Sequence, residues 1–264
     1  MSTRQRSVTS PEKMNASNNN ILIVFDAAGC APVSLHMATD LAAGLRASIK
    51  ALYVEDINLM KAVDLPFTRE ISLHTAEISK IDSTMMKQKS RAAAENIKKQ
   101  IEEIAVTRSV SITFSSTEGY KAQIVRDQTE EVTMVMLPAV YSSNGRKLQQ
   151  QLKDRVVVLY GDIDVSSDKT LDIALLQSAK ENYQLIVIAD GLQSKQHVEK
   201  RLSEQGGKAE CDIADFSDVD EVTSLVFKHS PGLLVLPESS RLIKDEQVLQ
   251  QLIDKLETDI LLVR

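Results

Sequence analysis

The sequence predicts an α/β protein built from two tandem units with mostly parallel sheets, and three observations predict it. The first is a duplication. Ile21–Asp56 (ILIVFDAAGCAPVSLHMATDLAAGLRASIKALYVED) lies over Arg155–Asp190 (RVVVLYGDIDVSSDKTLDIALLQSAKENYQLIVIAD) without a gap. Ile23-Val24-Phe25 falls on Val157-Val158-Leu159, Leu41 on Leu175, Leu52 on Ile186, Val54 on Ile188 and Asp56 on Asp190. The second is the order inside each copy: apolar run, polar loop, amphipathic helix, apolar run, which is one β-α-β unit. The third is the unbroken apolar character of the opening strands, as expected where both faces of a parallel strand are covered. Alternating strands and helices then imply right-handed crossovers. The predicted division is a disordered polar tail over 1–20, a first unit over 21–154 and a second over 155–264.

Composition narrows the class. Apolar residues make up 43% of the 264, enough for two cores, while aromatics are only 4% and Trp is absent, so the cores must be aliphatic. The net charge of −6 and the lack of a long basic stripe argue against a nucleic-acid binder. Neither of the two cysteines, Cys30 and Cys211, sits in a CxxC, which suggests no zinc site or redox pair. No run approaches the roughly 20 apolar residues needed to span a bilayer, and MSTRQRSVTSPEKMNASNNN lacks the apolar core of a secretory signal. The expectation is a cytoplasmic protein with reduced thiols and no membrane partner.

The elements follow in order. A strand over Ile21–Asp26 leads through a loop to a helix that starts near Pro32, a residue suited to a first turn. Leu35, Ala38, Leu41, Ala42 and Leu45 share its apolar face. A second strand covers about Ile49–Val54. Asp56–Glu70 is an insertion, with a short helix over Asn58–Val63 ended by Pro66. Met86, Ala93, Ile97, Ile101 and Ile104 recur at helical spacing and predict one long helix over about Ala76–Val106. A strand over Val110–Ser115, a turn from Gly119, a helix over Ala122–Glu130 and a strand over Val132–Leu137 complete the first copy. The second copy has predicted strands at Val156–Tyr160, Leu185–Ala189, Ala209–Ile213, Leu233–Leu236 and Ile260–Val263. Its helices are predicted at Ser167–Glu181, Lys195–Gln205, Val219–Lys228 and Glu246–Glu257, with Asp168 or a preceding serine capping the first.

One irregularity stands out. Val135-Met136-Leu137-Pro138 matches Leu234-Val235-Leu236-Pro237, and each is followed by a polar loop and a Leu-Gln-Gln helix. After the second such helix comes Ile260–Val263. After the first comes Val156–Tyr160, already the opening strand of copy two. Burial on both faces favours the central role for that strand. Copy one is therefore predicted to lack a fifth strand, leaving its fourth strand with an open edge to be paired by the other copy or another subunit.

An opening strand ending in Asp26, a second strand ending Val54-Glu55-Asp56 and a closing Ile260-Leu261-Leu262-Val263-Arg264 resemble the universal stress protein family across Ile21–Arg264. VEDINLMKAVDLPFTRE (Val54–Glu70) is also similar to a stretch in a bacterial branch of tandem members. The resemblance implies Rossmann-like units of five parallel strands, dimer-like packing of the two units, and either ATP binding or a purely regulatory role. ATP-binding members carry, after the fourth strand, Gly, two residues, Gly, nine residues, Gly, then Ser or Thr. Glycines let backbone amides approach phosphate oxygens, and a helix N-terminus adds to the cradle. Copy one reads LPAVYSSNGR, with Gly145 as its one glycine; copy two reads LPESSRLIKD, with none, and Glu238 puts a carboxylate where phosphates belong. Copy two is read as having lost the nucleotide. In copy one the resemblance leaves a residual site of Asp26, Val54 and Gly145, with Arg146 or Lys147 able to supply charge. The plainer roles are a loop-capping Asp26, a core Val54 and solvated cations. The position of Asp26 is Tyr160 in copy two.

Other patterns point nowhere specific. Asp162, Asp164 and Asp168 lack the Gly and Glu of an EF-hand, having Ser167 and Ile173 there, and fit a helix-capping loop. Asp212, Asp215, Asp218, Asp220 and Glu221 sit where acids favour a helix start. His36, His74, His197 and His229 lack metal-ligand spacing. Gly-x-Ser-x-Gly and Gly-x-Gly-x-x-Gly are absent, and Asp26-Ala27 with Ser115-Ser116 does not supply the acids of a phosphoacceptor domain. The resulting expectation is a non-catalytic stress-response regulator or scaffold with no cofactor. It would act through protein contacts or self-association at the open sheet edge and at the inserted Asp56–Val106 segment. The alternative is an ATP or AMP switch in the first unit; slow ATP hydrolysis is a weaker third reading.

Overall fold

The computed structural model describes residues 20–27, 32–65, 67–71, 78–127, 132–139, 154–181, 183–256 and 258–264. The chain runs β1 (Asn20–Phe25), α1 (Pro32–Leu45), β2 (Ser48–Asp56), α2 (Ile57–Val63), β3 (Arg69–Ile71), β4 (Ile78–Lys80), α3 (Ser83–Arg108), β5 (Ile112–Gly119), α4 (Lys121–Asp127) and β6 (Met134–Leu137). It continues β7 (Arg155–Tyr160), α5 (Val165–Glu181), β8 (Gln184–Asp190), α6 (Gly191–Gln205), β9 (Glu210–Ala214), α7 (Val219–His229), β10 (Leu233–Pro237), α8 (Arg241–Lys244), α9 (Glu246–Lys255) and β11 (Asp259–Val263).

The protein is α/β, with a mostly parallel sheet. The strands of both sequence copies lie in one nine-stranded sheet of order β5-β2-β1-β6-β11-β10-β7-β8-β9, and only the β6–β11 pair is antiparallel. The apolar strands read as they do because both faces are covered. Ile21, Ile23 and Phe25 of β1 join one core with Leu35, Leu41 and Ile101 from α1 and α3. Leu22 and Val24 point the other way and join Val125, Val226 and Leu252 from α4, α7 and α9. Period-two alternation therefore feeds two aliphatic layers instead of one.

The strand asked to serve both copies takes the central role. β7 lies between β10 and β8, parallel to both. The edge of β6 is closed within the chain by β11, with Ile260 opposite Leu137 and Val263 opposite Met134. The open edge foreseen at β6 is thus not available to another subunit. The sheet ends are instead β5 and β9. The five strands per unit implied by the resemblance become a parallel run of four joined to a run of five, since the last strand satisfies the backbone groups on both its sides.

Several boundaries differ from the sequence reading. The single helix over Ala76–Val106 is replaced by a two-stranded ribbon, β3 against β4, and then α3. Asp82 sets the start of α3, because its carboxylate accepts the Met85 amide at 2.8 Å. β5 runs on to Gly119, in register with β2 as far as Asp56. At Gly119, the last residue of that strand, a Cβ would sit 2.8 Å from Ile124 Cδ1, so a side chain there would require Ile124 to shift. α6 begins at Gly191, whose φ of +78° suits the absence of a side chain. α5 begins two residues early, at Val165, and its cap is Asp164, not Asp168.

Candidate functional site

In open α/β sheets, ligands bind outside the carboxyl ends of the strands where strand order reverses. The sheet has two such points, between β1 and β6 and between β7 and β10. At the first, Asp26 follows β1 and Lys121 opens α4. The Lys121 ammonium reaches Asp26 Oδ2 at 2.8 Å, with its side chain only 10% exposed. Val54 follows Tyr53, which pairs with Phe25, so the fold brings Val54 beside Asp26, although β2 runs two residues further, to Asp56, and Val54 does not end it. The Val54 side chain is 1% exposed and belongs to the core. Gly145, Arg146, Lys147 and Cys30 lie outside the described residues.

The first crevice holds a group that the sequence reading did not single out. Asp259 opens β11, beside the end of β6, and is buried at 3% exposure. Its Oδ1 accepts the Ser34 hydroxyl from α1 at 2.7 Å and the Ala139 amide, just past β6, at 2.9 Å. Two donors from opposite sides of the crevice thus converge on one carboxylate oxygen. A buried carboxylate requires such charge-assisted bonds to offset its lost hydration. Sequence position hid this, because the donors and acceptor are brought together only by the antiparallel seam.

The second crevice is also filled by the chain. Asp164 Oδ1 accepts the Ser167 amide at 2.7 Å. Burial pushes the Asp164 carboxyl up, but bonds from Ser167, Ser239 and Ser166 leave it below the usual carboxylate range. Glu238 pairs with Arg264 at 2.9 Å, so the carboxylate foreseen in the phosphate position is neutralised. Tyr160, at the position of Asp26, donates to Asp168 Oδ1 at 2.7 Å. His197 Nε2 lies 3.1 Å from the same oxygen, and Arg201 Nη1 donates to Asp168 Oδ2 at 2.6 Å. Burial works to raise the Asp168 carboxyl, yet these three partners hold it lower. Burial also pushes the Tyr160 phenol far above its ordinary value, and Asp168 adds to that. With its oxygens engaged, Asp168 is a structural anchor here, and Tyr160 is a poor proton donor.

No protein-family model matches the chain, and no curated protein matches it in sequence. Solved structures resemble it. A universal stress protein from Archaeoglobus fulgidus DSM 4304 aligns over 92% of this chain and 96% of its own, with TM-score 0.52 and 11% identity. The fold is that of a universal stress protein. A universal stress protein in complex with cAMP aligns over 41% of this chain and 95% of its own, with TM-score 0.33 and 21% identity. A member of the family from Burkholderia pseudomallei aligns over 76% and 98%, with TM-score 0.29 and 13% identity. These last two are too distant in geometry to carry an argument.

The remaining sequence candidates separate in space. Asp162 is exposed, 4.0 Å from Arg241, and does not join Asp164 and Asp168 in a cation loop. Asp218 caps α7 through the Asp220 and Glu221 amides. Asp212 leaves that acidic cluster and meets buried His229 at 2.8 Å. The ligand atoms of Glu210, Asp212 and His229 lie within 4.8 Å of one another, a grouping that could hold a metal ion. Lys228 Nζ, however, already sits 3.3 Å from the same Asp212 oxygen. Cys211 is a free, half-buried thiol, and burial raises its pKa. Among the described residues no helix is long and apolar enough to cross a membrane.

Proposed function

We propose that this chain is a non-catalytic stress-response regulator or scaffold of the universal stress protein type, acting through protein contacts in the cytoplasm. One observation carries the reading: each strand-end crevice is occupied by a carboxylate of the chain itself, Asp259 in the first and Asp164 in the second. Negative charge at these positions repels a triphosphate and removes the amides that would otherwise receive it. The contact surface we favour is the inserted segment. Leu65, Phe67, Ile71 and Ile78 are large, apolar and exposed there, and Phe67 is 93% exposed. Ile71 and Ile78 face each other across the β3–β4 ribbon, and neighbouring exposed apolar groups are a mark of interaction sites.

The competing reading is an ATP or AMP switch in the first crevice. Lys121 favours it, as a cation beside Asp26 that could turn to a phosphate. Titration calorimetry with Mg-ATP and with AMP separates the two. The scaffold reading expects no heat at millimolar ligand. Micromolar binding abolished by Asp26→Ala would establish the switch instead.

A further inference from the structure

β9 forms one end of the nine-stranded sheet, and α7 covers one of its faces. Alternate residues of a strand share a face. Glu210 and Asp212 therefore stand on the side of Ala214, which packs in one core layer with Val222 and Val226 of α7. Cys211 lies on the other face, against the opposite layer. α7 ends at His229, whose Nε2 lies 2.8 Å from Asp212 Oδ2. His229 is 5% exposed, and its carbonyl accepts from Arg155 Nη1 at 2.9 Å, so the residue is anchored through its backbone. A His–Asp pair needs only one carboxylate. Glu210 brings a second, and the negative end of the α7 dipole lies at the same place. Lys228 answers part of this charge, with Nζ 3.3 Å from Asp212 Oδ2, but its side chain is 62% exposed and free to turn into water. Glu210 opens β9 and His229 precedes β10, so the group lies at the amino ends of the strands, opposite to both crevices.

We propose that Glu210, Asp212 and His229 form a binding site for a divalent transition-metal ion of the zinc class, which pins the end of α7 to the edge strand. One imidazole nitrogen and two carboxylate oxygens suit zinc, whereas magnesium and calcium favour shells of oxygen alone. Zinc bonds of about 2.0–2.2 Å put the donors of a tetrahedral set roughly 3.3–3.6 Å apart. The three ligand atoms already lie within 4.8 Å of one another, so the exposed Glu210 side chain closes in while buried His229 stays in place. The ion takes the position between Nε2 and the carboxylates and displaces the Lys228 ammonium. Three protein ligands leave the fourth position to water at the open edge of the sheet.

The test is zinc titration of the full chain by calorimetry, after treatment with EDTA and desalting, repeated in an excess of magnesium chloride. The wild type is expected to take up zinc, and magnesium should not compete. His229→Gln should abolish this uptake. Glu210→Gln, a change at an exposed side chain, should weaken it at least about tenfold, the size of loss that even an outer-shell partner causes. Lys228→Ala should tighten it about fivefold, because a like charge some 4 Å away is removed even at the dielectric of water. Opposite shifts in these last two variants are a result that general loss of structure does not produce, and they carry the test if His229→Gln does not fold. No zinc uptake by the wild type would overturn the proposal. Uptake that is equal in the wild type, Glu210→Gln and Lys228→Ala would also overturn it, by placing the ion elsewhere on the chain, as would any other failure of the two opposite shifts.

Discussion

The Ser34 hydroxyl and the Asp259 carboxylate meet at 2.7 Å although 225 positions separate them in the chain. This bond ties the first helix to the last strand, across the one antiparallel junction in the main sheet. Ser34→Ala leaves the buried carboxylate one donor short. Hydrogen bonds to charged groups contribute about 1.5–3 kcal/mol, and urea unfolding of Ser34→Ala should show a loss in that range with an unchanged m-value. A loss below about 0.5 kcal/mol, the scale of ordinary surface substitutions, would mean that the bond is not made in solution.

Asp168 links stability to pH. Its folded-state pKa is depressed despite burial, through Tyr160, His197 and Arg201. A depressed carboxyl stabilises the fold fully above its unfolded value, about 3.9, and loses that contribution as pH falls through the folded value. Asp168→Asn should therefore be less stable than wild type at pH 6, with the gap narrowing below about pH 4. Urea midpoints measured from pH 6 to pH 2.5 check this. A gap that stays constant over that range would exclude the linkage.

Phe67 combines near-complete exposure with a φ of +75°. A bulky side chain there is strained, and Phe67→Gly should stabilise the fold by about 0.5–1 kcal/mol. If the insertion is the contact surface, the same change should weaken partner or self-association. A more stable variant with weaker association is the expected pair of results, read by thermal melting and by sedimentation. Association unchanged in the variant would move the contact surface elsewhere.

Deleting 259–264 removes β11 and bares the paired side of β6. Unpaired strand edges recruit other chains. The truncated protein should form larger species by light scattering, whereas full-length chain at the same concentration should not. A truncated chain that remains as dispersed as full length would show that β11 is dispensable for closing the sheet.

The alternation of strands and helices, the doubly covered strands and the central place of Val156–Tyr160 were all legible in the residues. These depend on local periodicity and on apolar runs such as RVVVLY and LLVLP, which only a strand covered on both faces can use. The ribbon at β3–β4 was not legible, since Ile78-Ser79-Lys80 continues the helical spacing of α3 and only pairing with Arg69–Ile71 decides otherwise. The Tyr160–Asp168–His197–Arg201 cluster and the Asp212–His229 pair were equally hidden, since each joins a strand to helices that no spacing rule connects. Sequence by itself determined the layers and the alternation of elements. Tertiary structure alone decided which edge β11 closes, and with it that a carboxylate at position 259 lies between Ser34 and Ala139. Periodicity is a property of neighbours along the chain, whereas the pairing of a strand edge is chosen by whichever unsatisfied backbone the finished sheet brings within reach.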